Sequence, residues 1–272
     1  MIRRDLDVSR EIKFLNGNFN KNKKPSFFFF TINKSASSFV TRVLQGLSSF
    51  AKIDYINLEK YYFHGGEIGN KWHEDGYSGD GKFKNIFENG GYFFGPFRRN
   101  WPKIDLKDNR IILLLRDPRD VLTSLYFSIL YSHQIPKTGD SREFMIHERE
   151  SATKSNIDDY VLDSAHYYNG LYKYYCDNIL GNENVLFLKY EDMVQDFGGF
   201  IARITNFLGY SITDNELKAL LKMGDFSVDS EDIYSHKRQV TPGDHRRKLK
   251  NKTIVDLNKI FSDVLEKLNY DK

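Results

Sequence analysis

The segment "SFFFFTINKSASSF" (26–39) constrains the fold more than any other stretch, because four consecutive phenylalanines run straight into a lysine and three serines. A short continuous apolar run has no polar face to offer water. It therefore reads as a strand covered on both sides, as in parallel sheets wrapped by helices. Behind it Phe39, Val40, Val43, Leu44 and Leu47 recur at helical spacing. Strand, tight turn and helix aim backbone N–H groups and the positive end of a helix dipole at one spot. Lys34 adds a full charge there, and the hydroxyls of Ser35, Ser37 and Ser38 are donors for an anion's oxygens. A nucleoside triphosphatase turn reads G-x-x-x-x-G-K-S/T. Here Asn33 precedes Lys34 and Phe28 stands five residues before Asn33, so the wrapping glycines are missing. The plain alternative is a lysine at a helix start beside a serine cap.

Two further apolar runs, "RIILLL" (110–115) and "NVLFLKY" (184–190), are also followed by helical patterns. Val121, Leu122, Leu125, Tyr126 and Ile129 form one stripe, and Phe197, Phe200, Ile201, Ile204, Phe207 and Leu208, stopped by Gly209, form the other. A long helix is expected over 157–180, a capping box "TDNE" (213–216) opens another, and 253–268 closes the chain as a helix. The expected fold class is α/β, with three layers and a mainly parallel sheet flanked by helices. Residues 1–272 are expected to form a single domain, in which 1–24 lead into the first strand and 71–82 make a surface loop. Ligands bind such sheets at the carboxyl ends of strands, which puts "TINKSASS" and "RDPRD" in one crevice.

Within "RDPRDVLTS" (116–124), Asp117 suits an N-cap and Pro118 the first helical position. Arg116 is different: it ends a buried strand, where a planar guanidinium grips a phosphate through two hydrogen bonds. Ser124 falls on the helix side shared by Asp120 and Ser128, away from the apolar stripe. A third basic element, "SHKRQVTPGDHRRK" (235–248), carries five Lys or Arg around Pro242–Gly243 and reads as a loop, either a solvated charge run or a lid placed to fold over an anion and reaching to about 252.

A net charge of +3 gives no argument for a nucleic-acid partner, and none is expected. Cys176 is the single cysteine, so an intrachain disulfide and a thiolate zinc site are excluded, and no metal is expected. No stretch approaches the roughly 18 apolar residues of a membrane span, and "MIRRDLDVSREIKFLNGNFN" lacks the apolar core of a secretory signal. A cytoplasmic location is the expectation.

Taken in order, "NKSASSF", "RDPRDVLTS", "LKYEDM" (188–193) and "RQVTPGD" resemble the sulfotransferases that use 3′-phosphoadenosine 5′-phosphosulfate (PAPS), which share a P-loop-like architecture. The likeness runs from about residue 25 to 250. It implies that Lys34, Ser35, Ala36, Ser37 and Ser38 hold the 5′-phosphosulfate and that Phe39 stacks on the adenine. It further implies that Arg116, Ser124 and Arg238 bind the 3′-phosphate and that Tyr190 contacts the adenine. Apart from the resemblance, Phe39 also reads as the first residue of its helix's apolar stripe. A donor with one 5′-phosphate and a sulfate is shorter than a triphosphate and asks for no Mg²⁺, so serines stand where glycines would wrap. The likeness makes Lys34 catalytic, a cation at the bridging oxygen of the breaking bond. The product would be adenosine 3′,5′-bisphosphate (PAP).

The chain departs from the family's pattern in three places. Ala36 replaces a glycine, "RQV" (238–240) replaces Arg-Lys-Gly, and "GGYFFGPFRRNWPK" (90–103) has no histidine where many members carry their general base. Glu59 and His64 are the candidate bases, with His133 a rival and all three open to plainer roles as surface or packing residues. Arg98 and Arg99 are candidates for holding an anionic acceptor, with simple solvation the plainer reading. The expected partner is a small-molecule or carbohydrate acceptor hydroxyl, with aromatic segments such as "YYFHGG" and "GYFFGPFRR" on its side of the crevice. Two other readings remain at this point, a kinase using Mg-ATP and a non-catalytic module for anionic ligands. The oligomeric state is not legible.

Overall fold

The computed structural model describes residues 7–19, 25–63, 86–88, 90–98, 104–136, 140–224, 226, 231–235 and 238–272. Strands β1 (Phe27–Thr31), β2 (Asp54–Ile56), β3 (Tyr92–Phe97), β4 (Arg110–Leu115) and β5 (Val185–Lys189) form a parallel sheet in the order β2-β3-β1-β4-β5. The four phenylalanines explain why β1 lies at the centre. Phe28 and Phe30 enter one core, Phe27 and Phe29 enter the other, and all four are buried. The neighbouring strand β4 repeats the division, with Ile111, Leu113 and Leu115 on one side and Ile112 and Leu114 on the other. The period of two along a strand feeds two helical layers from one continuous apolar run.

The helices are α1 (Ser9–Leu15), α2 (Ser37–Phe50), α3 (Leu58–Phe63), α4 (Pro118–Phe127), α5 (Asp140–Lys154) and α6 (Ile157–Asn178) in the first part of the chain. They continue with α7 (Tyr190–Gln195), α8 (Phe197–Leu208), α9 (Asp214–Leu221), α10 (Asp244–Lys248), α11 (Asn251–Ile260) and α12 (Ser262–Lys267). Helices α2, α8 and α9 pack on the Phe27 and Phe29 side, while α4, α6, α11 and α12 cover the Phe28 and Phe30 side. The chain thus leaves β1 and β4, adjacent strands paired Thr31 to Leu114, toward opposite faces. Such a divergence opens a crevice at the carboxyl ends of the two strands. No described helix is long and apolar enough to cross a membrane.

Several expectations need correction. Strands β2 and β3 and helices α1, α3 and α5 lie where no element was expected. β2 has only three residues, and β3 contains Gly95–Pro96, which reads as a turn. The glycine is required: at φ +140° it lies so close to β1 that a Cβ would stand 2.8 Å from the Phe29 carbonyl oxygen. The third predicted strand stops at Lys189, and Tyr190 opens α7 instead of ending β5. The closing helix breaks at Phe261 into α11 and α12, and 244–248 is helical although its charge run reads as loop. The capping box at Thr213 and Glu216 and the left-handed Gly209 ending α8 occur as expected. The 71–82 loop lies outside the described residues.

Candidate active site

The turn after β1 is wound tightly without glycine. Lys34 (φ 69°) and Ala36 (φ 58°) both take left-handed backbone, a conformation that costs a residue with a Cβ about 1–3 kcal/mol. Ala36 is the N-cap of α2 and brings no side-chain cap, which leaves the opening N–H groups of the helix to other acceptors. The Ser35 hydroxyl is buried without a hydrogen-bond partner, a state that buried polar groups seldom keep unless a ligand or water completes it. The Ser37 hydroxyl accepts from the Arg98 side chain (Nε to Oγ, 2.9 Å), and Ser38 is exposed at the rim. Lys34 is partly buried, and no described carboxylate forms an ion pair with it. Desolvation, together with the charges of Arg116, Arg238 and Arg98, lowers its pKa from 10.5 to about 8. A cation held against three other cations is a site prepared for an anion.

The turn after β4 is braced from all sides. Arg116 is 4% exposed and its guanidinium lies 4.3 Å over the Tyr190 ring. Its Nη1 donates to the Lys34 carbonyl oxygen at 3.1 Å, so the two turns touch. Its Nη2 reaches Asp120 Oδ2 at 3.4 Å, and its Nε is buried without a partner. Asp117 caps α4 by accepting from Arg119 N, with Pro118 at the first helical position as the sequence indicates. The Asp117 carboxylate pairs with Arg119, and Asp192, also after a strand, pairs with Arg203 at the surface.

The basic segment reaches the crevice through Arg238, which is buried, pairs with Glu231 and Asp244, and lies 4.2 Å over the Phe127 ring. Tyr190 holds the same segment by donating to the Val240 carbonyl oxygen at 2.7 Å. The tyrosine expected beside an adenine is thus buried beneath Arg116 as a support. Phe39 is half-buried, 5.5 Å from the Phe197 ring and 5.2 Å from Phe226, with the Arg42 guanidinium above it. Ser124 lies farther along α4 and is partly buried.

Glu59 is tied to Arg98: its carboxylate accepts from the Arg98 backbone N–H at 2.6 Å and pairs with the Arg98 guanidinium. His64, Arg99 and Lys237 lie outside the described residues. His133 closes the π-turn Ser128–Ser132 at the far end of α4, where its carbonyl accepts from Arg149. Arg98, read from the sequence as a candidate for an anionic acceptor, lies instead at the Lys34 turn on Ser37 and Glu59; it follows β3 as Arg116 follows β4, but the Gly95–Pro96 turn signal hid that strand end.

Fold and site define an α/β protein whose strand ends form a crevice lined by cations at a topological switch point. A sequence profile of the sulfotransferase domain family matches residues 99–268, more than half of the 272-residue chain, and the chain belongs to that family. Sulfotransferase 2A2 of Rattus norvegicus is 32% identical over 133 residues, covering 47% of this chain and 41% of that protein. Sulfotransferase 2A1 of Homo sapiens is 30% identical over the same coverage, so the match spans less than half the length of these relatives. Mouse sulfotransferase SULT7A1 complexed with PAP shares the fold at a TM-score of 0.52 and 17% identity, over 95% of this chain and 89% of that one. Retinol dehydratase in complex with androsterone and the inactive cofactor PAP aligns at 0.51 and 17%, over 97% and 87%. Arg116, Tyr190 and Arg238 lie within the profile span, whereas the Lys34 turn precedes it.

Proposed function

We propose that the chain is a sulfotransferase that uses PAPS and passes the sulfuryl group to a hydroxyl of a small acceptor. The observation that carries this reading is the contact of two cationic strand ends, each with a buried polar group lacking a partner: Ser35 Oγ beside Lys34, and Arg116 Nε. Such donors fit the phosphates of one nucleotide. The turn from Lys34 to Ser38 would take the 5′ end, and Arg116 with Arg238 the 3′-phosphate.

When bound, PAPS supplies the sulfuryl group and leaves as PAP. In this transfer, as in phosphoryl transfer, negative charge grows on the oxygen of the breaking bond. Lys34 is the group to stabilise that charge, because its ammonium gains more from the transition state than from the resting site. Arg98, anchored by Glu59 and touching Ser37, adds a second cation at the edge of the same turn. To act as general base Glu59 must first release Arg98, so the structure favours a positioning role for it. His64 stays a candidate base through its place in the sequence.

A hydroxylated natural product or carbohydrate is the acceptor class proposed; the aromatics of β3 (Tyr92, Phe93, Phe94 and Phe97) are buried in the core and do not line the acceptor side as their sequence suggests. Retinol dehydratase has been crystallised with androsterone, a small hydroxylated ligand, and shares this fold. Calorimetric titration with PAP and with Mg-ATP, followed by transfer of labelled sulfate from PAPS to an acceptor panel, tests the proposal. Preferential binding of PAP together with label transfer supports it. Preferential binding of Mg-ATP, or PAP binding without transfer to any acceptor, refutes it.

A further inference from the structure

Asp120 is fully buried and serves four donors from two distant parts of the chain. The Arg116 guanidinium reaches Oδ2 at 3.4 Å and the Gly243 N–H reaches the same oxygen at 2.7 Å. The His245 backbone N–H donates to Oδ1 at 2.9 Å, and His245 Nδ1 lies 2.6 Å from that oxygen. Desolvation works against the charge of this carboxyl, yet the His245 hydrogen bond and Arg116 outweigh it and hold the pKa well below the usual carboxylate range. Asp120 is therefore a fixed anion at the junction of the β4 end and the basic segment. Beside the junction, Asp244 pairs with Arg238. The turn 243–245 consequently sets both cations, Arg116 through Asp120 and Arg238 through Asp244.

A buried carboxylate placed only to neutralise Arg116 would need none of the backbone donors from 243 and 245. We propose that Asp120 is a positioning residue that makes the site selective for a 3′-phosphorylated nucleotide, by fixing Arg116 and the 243–245 turn as one receptor. This rests on the reading of Arg116 and Arg238 as the 3′-phosphate contacts. Asp120 does not touch the ligand. It prevents Arg116 from turning its unpaired Nε away and keeps the basic segment from lifting off with Arg238.

The readout is a ratio, the dissociation constant of adenosine 5′-monophosphate over that of PAP, measured by calorimetry on the full chain. General loosening of the fold weakens both ligands and leaves the ratio unchanged, whereas loss of the receptor lowers it. Two charge-assisted arginine contacts predict a ratio of about 100 or more for the wild type. Asp120→Asn, which keeps the shape and removes the charge, is expected to lower it at least tenfold. His245→Ala removes one anchor and is expected to lower it several-fold, and His245→Asn, which restores a donor at the Nδ1 position, to recover most of it. The histidine pair decides the matter if Asp120→Asn does not fold. Folded Asp120→Asn or His245→Ala protein that retains the wild-type ratio overturns the proposal while leaving the site reading intact. A wild-type ratio near one overturns the site reading and this proposal together.

Discussion

The turns after β1 and β4 lie side by side on the sheet, yet they are built in opposite ways. The first is short of partners: Lys34 has no described carboxylate against it, Ser35 Oγ is unpaired, and two residues with side chains sit in left-handed backbone. The second is cross-linked, with Arg116 stacked on Tyr190, bonded to Asp120 and, through Asp120, joined to the basic segment. An arginine clamped in this way cannot follow charge as it moves along a reacting bond, but it reads the geometry of a fixed phosphate well. A lysine with few restraints has the opposite virtues. Under the proposed function, the contrast places chemistry at the first turn and recognition at the second.

Removing each cation in turn is the severest way to break this contrast. Lys34→Ala is expected to lower kcat by about 10²- to 10³-fold, the usual cost of losing one group that stabilises developing charge, with a much smaller change in PAP affinity. Steady-state rates together with calorimetry check it, and near-normal turnover would end the catalytic assignment. Arg116→Ala should do the reverse at saturating donor, weakening PAP binding by about 100-fold. It also strips Asp120 of a buried partner, so a loss of about 3 kcal/mol in denaturant unfolding is expected.

The pH dependence sharpens the contrast further. In the free protein the Lys34 pKa is about 8, and a bound anion raises it. PAP binding should therefore take up protons above pH 8, and affinity should fall by up to about tenfold per pH unit until the pKa of the bound state is reached. Calorimetry at pH 8.5 in buffers of different ionisation heat measures the uptake, which Lys34→Met should abolish. The same depressed pKa gives a stability term of the opposite sense. Between pH 8 and 10.5 the unfolded chain binds more protons at Lys34, so this group favours folding increasingly as pH rises. The smallest effect expected is that of Phe39→Leu, which keeps an apolar residue among Phe197 and Phe226 but removes a ring face. A loss of about three- to tenfold in PAP affinity fits adenine stacking, and an unchanged affinity makes Phe39 a core residue alone.

The central part of this arrangement was open to sequence reading because its signals are local. Four phenylalanines leave β1 no exposed face, and the lysine and serines that follow cannot continue such a strand. Arg116, Asp117 and Pro118 announce a strand end and a helix start in three residues. What stayed hidden depends on contacts distant in the chain. β3 looks like a turn because Gly95 answers to Phe29 on a neighbouring strand, across 66 residues of sequence. Glu59 reads as a free carboxylate until Arg98 is seen against it. Asp120 reads as an ordinary first-turn acid of α4, and only the fold brings Gly243 and His245 onto it.

The most direct test of the account is a crystal structure of the chain with PAP bound. The 5′-phosphate should sit within hydrogen-bond distance of Lys34 Nζ and the backbone N–H groups opening α2, with the 3′-phosphate on Arg116 and Arg238. A nucleotide bound away from the β1–β4 crevice, or one whose 3′-phosphate faces solvent while Arg116 keeps its resting contacts, would contradict it.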